Sequence, residues 1–200
     1  MTKQTILVGV AGLVLGAAAV LGIRFATYNP PHVHYHANFD VYINGAREPF
    51  KSPFYYQEIA GGSCTAGDNI TPAERVHMHD NVSDLVHVHD HAVTWGAFFQ
   101  NLGWTVNDRI IQTPDNLYVA DTAHPITFLV NGRAVQNIST EVINDRDRLL
   151  VDYGTTSNTT LQKEAKAIPT TATKYDVGKD PAACQSNAKP TVQQRLKHLL

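Results

Sequence analysis

The segment VHYHANFDVYING, residues 33–45, alternates strictly between two kinds of side chain. Every second residue from Val33 to Ile43 is apolar or aromatic, and the residues between them are histidine, asparagine, aspartate and tyrosine. A period of two is typical of a half-buried β-strand, with one face on the core and one face in solvent. The pair Asn44-Gly45 follows at once and supplies the positive φ angles of a tight hairpin turn.

The same turn pair occurs a second time, in ITFLVNGRAV at residues 126–135. It predicts a second hairpin. The segments FDVYINGAR and ITFLVNGRA are alike, through duplication or through shared turn chemistry. A last strand is predicted at RLLVDYG, residues 148–154, after the turn-like NDRD at residues 144–147.

A short helix is predicted at TWGAFFQNLG, residues 94–103. Trp95, Phe98, Phe99 and Leu102 have the spacing of one helical face, Thr94 is a candidate N-cap, and Gly103 ends the helix. The fold class that follows is α+β: a mainly antiparallel sheet with one short amphipathic helix, preceded by an N-terminal transmembrane helix.

Histidine is the unusual residue type, with 10 in the chain, eight of them between residues 32 and 91. They form three groups with His-x-His spacing: HVHYH at residues 32–36, HMH at 77–79 and HVHDH at 87–91. Residues i and i+2 of a strand point to the same face, about 6.5–7 Å apart, so each pair can reach one metal ion. Met78 points away from its neighbouring histidines and is predicted to lie in the core. His124 and His198 are isolated and are predicted to lie at the surface.

The stretch HMHDNVSDLVHVHDH, residues 77–91, predicts a hairpin centred on Ser83. In that register His77 lies opposite His89 and His79 lies opposite His87, so that four imidazoles share one face. The HVHYH strand can add His34 and His36 if it pairs beside this hairpin. The predicted core ligands are His34, His36, His77, His79, His87 and His89, and the predicted peripheral ligands are His32 and His91. Extra ligands or partners that orient a ring are predicted at Asp80, Asp84 and Asp90.

An all-nitrogen ligand set suits Cu(II), Zn and Ni(II), and the expected cofactor is a copper or zinc ion. Binding, storage or delivery of that metal is the leading functional hypothesis. The alternatives are a metal-dependent redox or hydrolytic enzyme that uses the same site, and an interaction module that senses pH through its histidines. An enzyme is the weaker hypothesis because no independent nucleophile or general base stands out. GxSxG, HExxH and phosphate-binding glycine loops do not occur.

The N-terminal segment 5–23 runs nineteen residues without a charge, between Lys3 and Arg24. This length spans a bilayer, whereas the apolar part of a cleaved signal peptide is about 7–15 residues long. An uncleaved anchor is therefore favoured over a signal peptide. The positive-inside rule places the N-terminus in the cytoplasm and the rest outside, so the expected location is the cell membrane, single-pass, with an extracytoplasmic C-terminal domain.

Three parts of the chain follow from these features: a membrane anchor (1–29), a His-rich α+β metal-binding domain (30–154) and a polar C-terminal tail (155–200) with a short terminal helix. The tail is rich in Thr, Ser, Asn, Lys, Ala and Pro, which bury little apolar surface. Its end, TVQQRLKHLL, forms a helix that either docks or stays mobile. The only two cysteines, Cys64 and Cys184, form a disulfide outside the cytoplasm or remain two thiols.

The charge balance argues against nucleic acid as a partner. The chain has 16 basic and 18 acidic residues, a net charge of -2, and no long basic run. The predicted partners are therefore a metal ion and, through residues 5–23, a membrane. Protein partners are left open.

The motifs together resemble a largely uncharacterised family of small bacterial membrane-anchored His-rich proteins. The resemblance covers residues 30–154 and rests on HxHxH, the strand ending in NG, VHMHDNVSDLVHVHDH, TWGAFFQNLGW, FLVNGRAV and RLLVDYG. The chain departs from the family pattern at His89, which stands where the family has an acidic residue. What the resemblance implies is the architecture and a metal site at the histidine positions.

Overall fold

A computed structural model of the chain describes residues 3–28, 33–56, 70–177 and 190–199. These residues divide into two compact units. One unit contains helices α1 (Lys3–Thr27) and α6 (Val192–Lys197), and the other contains the remaining elements. The remaining helices are α2 (Pro72–Arg75), α3 (Trp95–Asn101), α4 (Asn158–Ala167) and α5 (Thr171–Val177). The strands are β1 (Tyr35–Ile43), β2 (Ala46–Arg47), β3 (Val76–His77), β4 (Leu85–Val88), β5 (Thr105–Val106), β6 (Ile110–Gln112), β7 (Leu117–Val119), β8 (Ile126–Val130), β9 (Arg133–Val135) and β10 (Arg148–Tyr153).

The larger sheet has the strand order β3-β4-β1-β10-β8-β9, with β2 paired to β1. Every pair is antiparallel except β1 and β10, which run parallel with Phe39 beside Leu149. Strands β5, β6 and β7 form a separate antiparallel sheet. The predicted α+β class with a mainly antiparallel sheet is confirmed.

Both predicted hairpin turns are present. Asn44 and Gly45 have φ angles of 51° and 78°, and Asn131 and Gly132 have φ angles of 53° and 77°. Asparagine tolerates this left-handed region and glycine adopts it without steric cost, so the two dipeptides reverse the chain tightly. The turns connect β1 to β2 and β8 to β9.

The predicted amphipathic helix is α3. The Thr94 hydroxyl accepts a hydrogen bond from the backbone N–H of Ala97 at 3.2 Å, which is the expected N-cap. Trp95, Phe98 and Phe99 are buried, and the Phe98 ring meets the Phe39 ring edge-on at 4.9 Å. The aromatic face of α3 therefore packs on β1 as part of the main core. Met78 is fully buried in the same core, as predicted.

Strand β1 is buried on both faces, so the prediction of a half-buried strand is wrong. Phe39 is 0% exposed on the core side, yet His36 and Asn38 on the polar side are each 1% exposed. Helices α4 and α5 cover this second face, with α5 over β1 and α4 over β10. The sequence does not predict these two helices, because their apolar residues are few and the helices are short.

A small second core lies under α4. It contains Leu129 and Leu150 from the sheet and Leu161, Ala165 and Ile168 from the helix and its end. The Arg148 guanidinium donates to the backbone carbonyls of Ala165 and Lys166, each at 2.9 Å. Because the last carbonyls of a helix lack partners within the helix, this arginine satisfies them and ties α4 to β10.

Asp152 lies under α4 and is fully buried. Its Oδ1 accepts a hydrogen bond from the Thr156 hydroxyl at 3.0 Å, and its Oδ2 has no hydrogen-bond partner among the described residues. Burial raises the pKa of Asp152 above its ordinary value of 3.8. Such a carboxyl favours the folded state below its unfolded pKa, and this contribution is lost as the pH rises through its folded pKa.

We therefore expect Asp152→Asn to raise the free energy of unfolding at pH 7 by about 1 kcal/mol, because the amide removes a buried charge and still accepts from Thr156. The gain should shrink as the pH falls toward 4. Urea unfolding at pH 7 and pH 4 measures it. Asp147→Asn is the matched control with the opposite sign, since Asp147 accepts from Asn131 Nδ2 at 2.7 Å and from Asn144 N at 2.8 Å. Equal effects of the two substitutions at pH 7 would contradict the expectation.

Helix α1 is long and apolar enough to cross a membrane, with 25 residues and a mean hydropathy of 2.6 over its most apolar window. The same length and composition also suit a signal sequence or the core helix of a soluble protein. The predicted terminal helix is present as α6. The predicted part boundaries at residues 29 and 154 stay predictions. Cys64 and Cys184 lie outside the described residues, so their disulfide stays a prediction too.

Candidate metal centre

Three neighbouring strands place their histidines in a row. In the larger sheet His87 of β4 lies between His36 of β1 and His77 of β3, paired with each of them in the strand register. One step along the strands, the rings of His34 and His89 stack at 4.6 Å. The alternation of side chains thus puts histidines from β1, β3 and β4 on the same face of the sheet.

The predicted register of the β3–β4 hairpin is wrong by two residues. His77 lies opposite His87 rather than opposite His89. The chain turns early because Asp80 and Asn81 take φ angles of 57° and 55°, in the left-handed region that short polar side chains tolerate. A shift of two residues does not change the face on which each side chain lies. The four histidines of the hairpin therefore share one face, as predicted.

The six predicted core ligands form one continuous cluster of rings. Ring centroids lie 4.6 Å apart for His36 and His87 and for His34 and His36. His79 and His87 approach to 3.6 Å, and His77 and His89 to 5.0 Å. We call these six residues the histidine cluster: His34, His36, His77, His79, His87 and His89.

Burial differs across the histidine cluster. His87 is 0% exposed, and His36, His77 and His79 are at most 3% exposed. His34 and His89 are half-buried. Several imidazolium ions this close would repel one another at high cost, so the arrangement suits neutral rings that share a cation. The half-buried pair marks the side of the cluster nearest to solvent.

One group within the cluster meets the geometry of a metal site. His34, His87 and His89 each place one ring nitrogen within 4.8 Å of the others. Neutral imidazole nitrogen is the most common protein ligand of zinc and copper. These three residues could therefore hold a metal ion.

Hydrogen bonds orient the rings on the β3 side. His77 Nδ1 lies 3.0 Å from the backbone carbonyl of Ala73, which can only accept, so Nδ1 carries a proton and the neutral ring has its lone pair on Nε2. His79 Nε2 lies 3.0 Å from His87 Nδ1. On its other side, His79 Nδ1 lies 2.9 Å from the Asp80 carboxylate, which takes the orienting position that the sequence predicted for it.

The other two predicted acidic partners hold the surroundings of the cluster. Asp84 accepts a hydrogen bond from the Thr171 hydroxyl of α5 at 3.2 Å. Asp90 pairs with Arg75 at 2.7 Å and accepts from the backbone N–H of His91 at 2.7 Å. Both carboxylates thus brace the strand ends that carry the histidines.

Helix α5 covers the histidine cluster. The Tyr175 ring lies 5.6 Å from the His36 ring and 5.7 Å from the His87 ring. Asn38 fastens the helix: its Nδ2 donates to the Thr171 hydroxyl at 2.5 Å and its Oδ1 accepts from the backbone N–H of Ala172 at 3.0 Å. The sequence does not predict the role of Tyr175, because the short, mixed segment around it has no periodic pattern. The polar Asn38 in the middle of a strand is the one local sign of a covering element.

The predicted peripheral ligands are not part of the described cluster. His32 lies outside the described residues. His91 is exposed on the turn after β4, and among the described residues the rings that stack on one another next to it are those of His34, His77 and His89. His124 is also exposed and pairs with Asp121 at 3.2 Å, as expected of an isolated surface histidine.

No family model, curated protein or solved structure matches this chain. The resemblance to membrane-anchored His-rich proteins therefore stays a prediction.

Proposed function

We propose that this chain is a membrane-anchored, extracytoplasmic protein that binds a copper or zinc ion for storage or delivery. The observation that carries the proposal is the group His34, His87 and His89, whose ring nitrogens lie within 4.8 Å of one another. Three further histidines adjoin this group through ring contacts. The chain thus gathers six histidine side chains in one place, and metal binding is the function that best accounts for so many imidazole nitrogens close together.

The choice of copper or zinc follows from the donors. Imidazole nitrogens suit Zn, Cu and Ni, whereas Mg and Ca prefer carboxylate, carbonyl and water oxygens. The carboxylates near the cluster are already engaged: Asp80 with His79, Asp84 with Thr171 and Asp90 with Arg75. Oxygen-preferring ions are therefore disfavoured, and the order of affinities among the remaining ions places copper first.

The burial of the histidine cluster favours metal binding over catalysis on a substrate. Helix α5 and Tyr175 lie over His36 and His87, so a substrate has little room at the buried end of the cluster. The half-buried residues His34 and His89 offer the path by which an ion enters and leaves. An ion held this way exchanges slowly, as storage or delivery requires.

The location follows from helix α1. Its uncharged segment between Lys3 and Arg24 matches the thickness of a bilayer. Lys3 on the short N-terminal side favours a cytoplasmic N-terminus, which places the histidine cluster outside the cytoplasm. Storage or delivery of copper or zinc at the outer face of the membrane agrees with both the histidine cluster and the anchor α1.

Metal analysis of the full chain, purified in detergent, tests the proposal. We expect one or more equivalents of Zn(II) or Cu(II) to remain bound after gel filtration, and Mg(II) or Ca(II) to be lost. Competition with chelators of graded strength then measures the dissociation constant. Absence of retained copper and zinc at neutral pH would overturn the proposed function.

A metal-dependent enzyme is the second candidate, and one observation favours it. The group of three histidines leaves a fourth position of a tetrahedral ion for water or substrate, and the side of the group formed by His34 and His89 is the less buried one. Cobalt substitution separates the two functions. A visible spectrum that changes on adding small anions indicates an exchangeable position, which a catalytic site requires, whereas an unchanged spectrum indicates a closed binding site.

A further inference from the structure

The C-terminal helix α6 is fastened to the end of α1. The Arg195 guanidinium donates to the backbone carbonyls of Phe25 and Ala26, at 2.5 Å and 2.9 Å. The same guanidinium lies 5.7 Å from the centre of the Phe25 ring. Since the last carbonyls of a helix lack partners within the helix, Arg195 supplies donors that α1 cannot provide for itself.

A second set of contacts works in the reverse direction. Arg24 of α1 donates to the backbone carbonyl of His198 at 3.1 Å, at the end of α6. The His198 ring stacks on Tyr28 with centroids 4.3 Å apart. Each helix therefore satisfies carbonyls of the other, and α6 is held just beyond the uncharged segment 5–23.

The start of α6 is defined by its own sequence. The Thr191 hydroxyl accepts from the backbone N–H of Gln194 at 3.2 Å, and the Gln194 side chain accepts from the backbone N–H of Thr191 at 2.9 Å. This reciprocal pair is a capping box, which favours a helix at that point. Six residues are too few for a stable isolated helix in water, so α6 depends on what surrounds it.

The outer surface of α6 combines apolar and cationic side chains. Val192 is 64% exposed and Leu196 is 52% exposed, one helical turn apart. Two basic residues, Arg195 and Lys197, lie in its last turn, and Arg24 lies close by on α1. An apolar stripe beside cations is typical of a helix in the interface of a membrane.

From this arrangement we propose that α6 lies in the bilayer interface where α1 leaves the membrane, and binds an anionic phospholipid surface. Val192 and Leu196 enter the boundary between headgroups and acyl chains. Arg24, Arg195 and Lys197 contact lipid phosphates. The inference rests on α1 spanning the membrane, which is part of the proposed function, and it is independent of the metal.

The position of α6 commits it to lipid rather than to a second copy of the chain. Its contacts with Phe25, Ala26 and Tyr28 place it at the end of α1. If α1 spans the membrane, as proposed above, this end lies at the level of the lipid headgroups. Basic side chains at the level of the headgroups contact lipid phosphates at any protein concentration, whereas contact with a second copy of the chain depends on concentration. Positive charge close to an anionic surface is attracted within about 10 Å.

Hydrogen exchange of the full chain in vesicles tests the inference. The chain is reconstituted into phosphatidylcholine vesicles with or without phosphatidylglycerol, and exchange of the amides of residues 192–199 is followed by mass spectrometry. We expect at least roughly tenfold slower exchange in the anionic vesicles, from several cations acting together at the surface. Val192→Ser with Leu196→Ser should remove the difference, since both side chains are exposed. The hydrogen bonds between α6 and α1 come from Arg24 and Arg195, which the double variant retains.

Leu117→Ser with Val119→Ser is the matched control, because these side chains on β7 are similarly exposed, at 59% and 53%. The control should leave exchange in residues 192–199 unchanged. Exchange that depends on protein concentration but not on lipid charge would indicate a second copy as the partner and would overturn the inference. If hydrogen exchange of these amides in the wild-type chain does not depend on lipid charge, the inference is overturned as well.

Carbonate extraction of the same vesicles separates this inference from the proposed function. A chain that stays in the vesicles but shows no effect of lipid charge on α6 refutes the interfacial helix alone. A chain that carbonate releases refutes the membrane anchor, and the interfacial helix with it.

Discussion

Replacement of both His34 and His89 with alanine is expected to weaken binding of Cu(II) or Zn(II) by at least about 100-fold, since even residues that only orient metal ligands contribute about 10- to 100-fold. The two residues supply two of the three nitrogens that lie within 4.8 Å of one another. Both are half-buried, so their removal leaves no deep cavity and the fold should survive. Competition with a chromophoric chelator measures the change in affinity.

Two substitutions outside the cluster serve as controls. His124→Ala removes an exposed histidine that pairs with Asp121, and His91→Ala removes the exposed residue at the end of the same His-rich stretch. Neither should change metal affinity by more than about twofold, and thermal unfolding without metal should be similar for all three variants. If the double variant binds metal as tightly as His124→Ala does, then His34, His87 and His89 do not form the site.

Removal of α5 is expected to speed release of the bound metal by about 100-fold. A stop codon after Pro169 removes three hydrogen bonds over the cluster: Thr171 with Asn38, Ala172 with Asn38, and Thr171 with Asp84. At about 1 kcal/mol for each bond, the closed state loses about 3 kcal/mol, and 1.4 kcal/mol corresponds to a factor of ten. Zinc release into excess chelator, followed by stopped flow, gives the rate.

A stop codon after Lys189 is the matched control, because it removes α6 and retains α5. That truncation should release metal at the rate of the full chain. Tyr175→Ala in the full chain should give an intermediate rate, since it removes only the ring that lies on His36 and His87. Equal release rates for the two truncated chains would show that α5 does not limit metal exchange.

Features that depend on neighbouring residues could be predicted from the sequence. The turns at Asn44-Gly45 and Asn131-Gly132 follow from backbone conformations that few other residue pairs adopt. Helix α3 follows from its Thr94 cap and its aromatic spacing. In each case the deciding interaction lies within a few residues of the chain, so its energy is visible in the local sequence.

The register of the β3–β4 hairpin could be predicted only in part. The alternation of side chains between the two faces of a strand is a local property. It was therefore possible to infer that His77, His79, His87 and His89 share one face. The pairing partner of His77 depended on where the chain turned, and the early turn at Asp80 and Asn81 changed it from His89 to His87. The local sequence DNVSDL does not single out one turn position, and β4 also pairs with β1, a non-local contact that no local pattern contains.

The sequence by itself determined the elements and the chemistry: two NG hairpins, the α3 helix, an apolar N-terminal helix and histidines spaced to share a face. Only the tertiary structure decided that α4 and α5 cover the polar face of β1 and bring Tyr175 onto His36 and His87. The reason is physical. The burial of a short mixed segment such as α5 depends on distant partners, here Asn38 and Asp84, which no local pattern reveals.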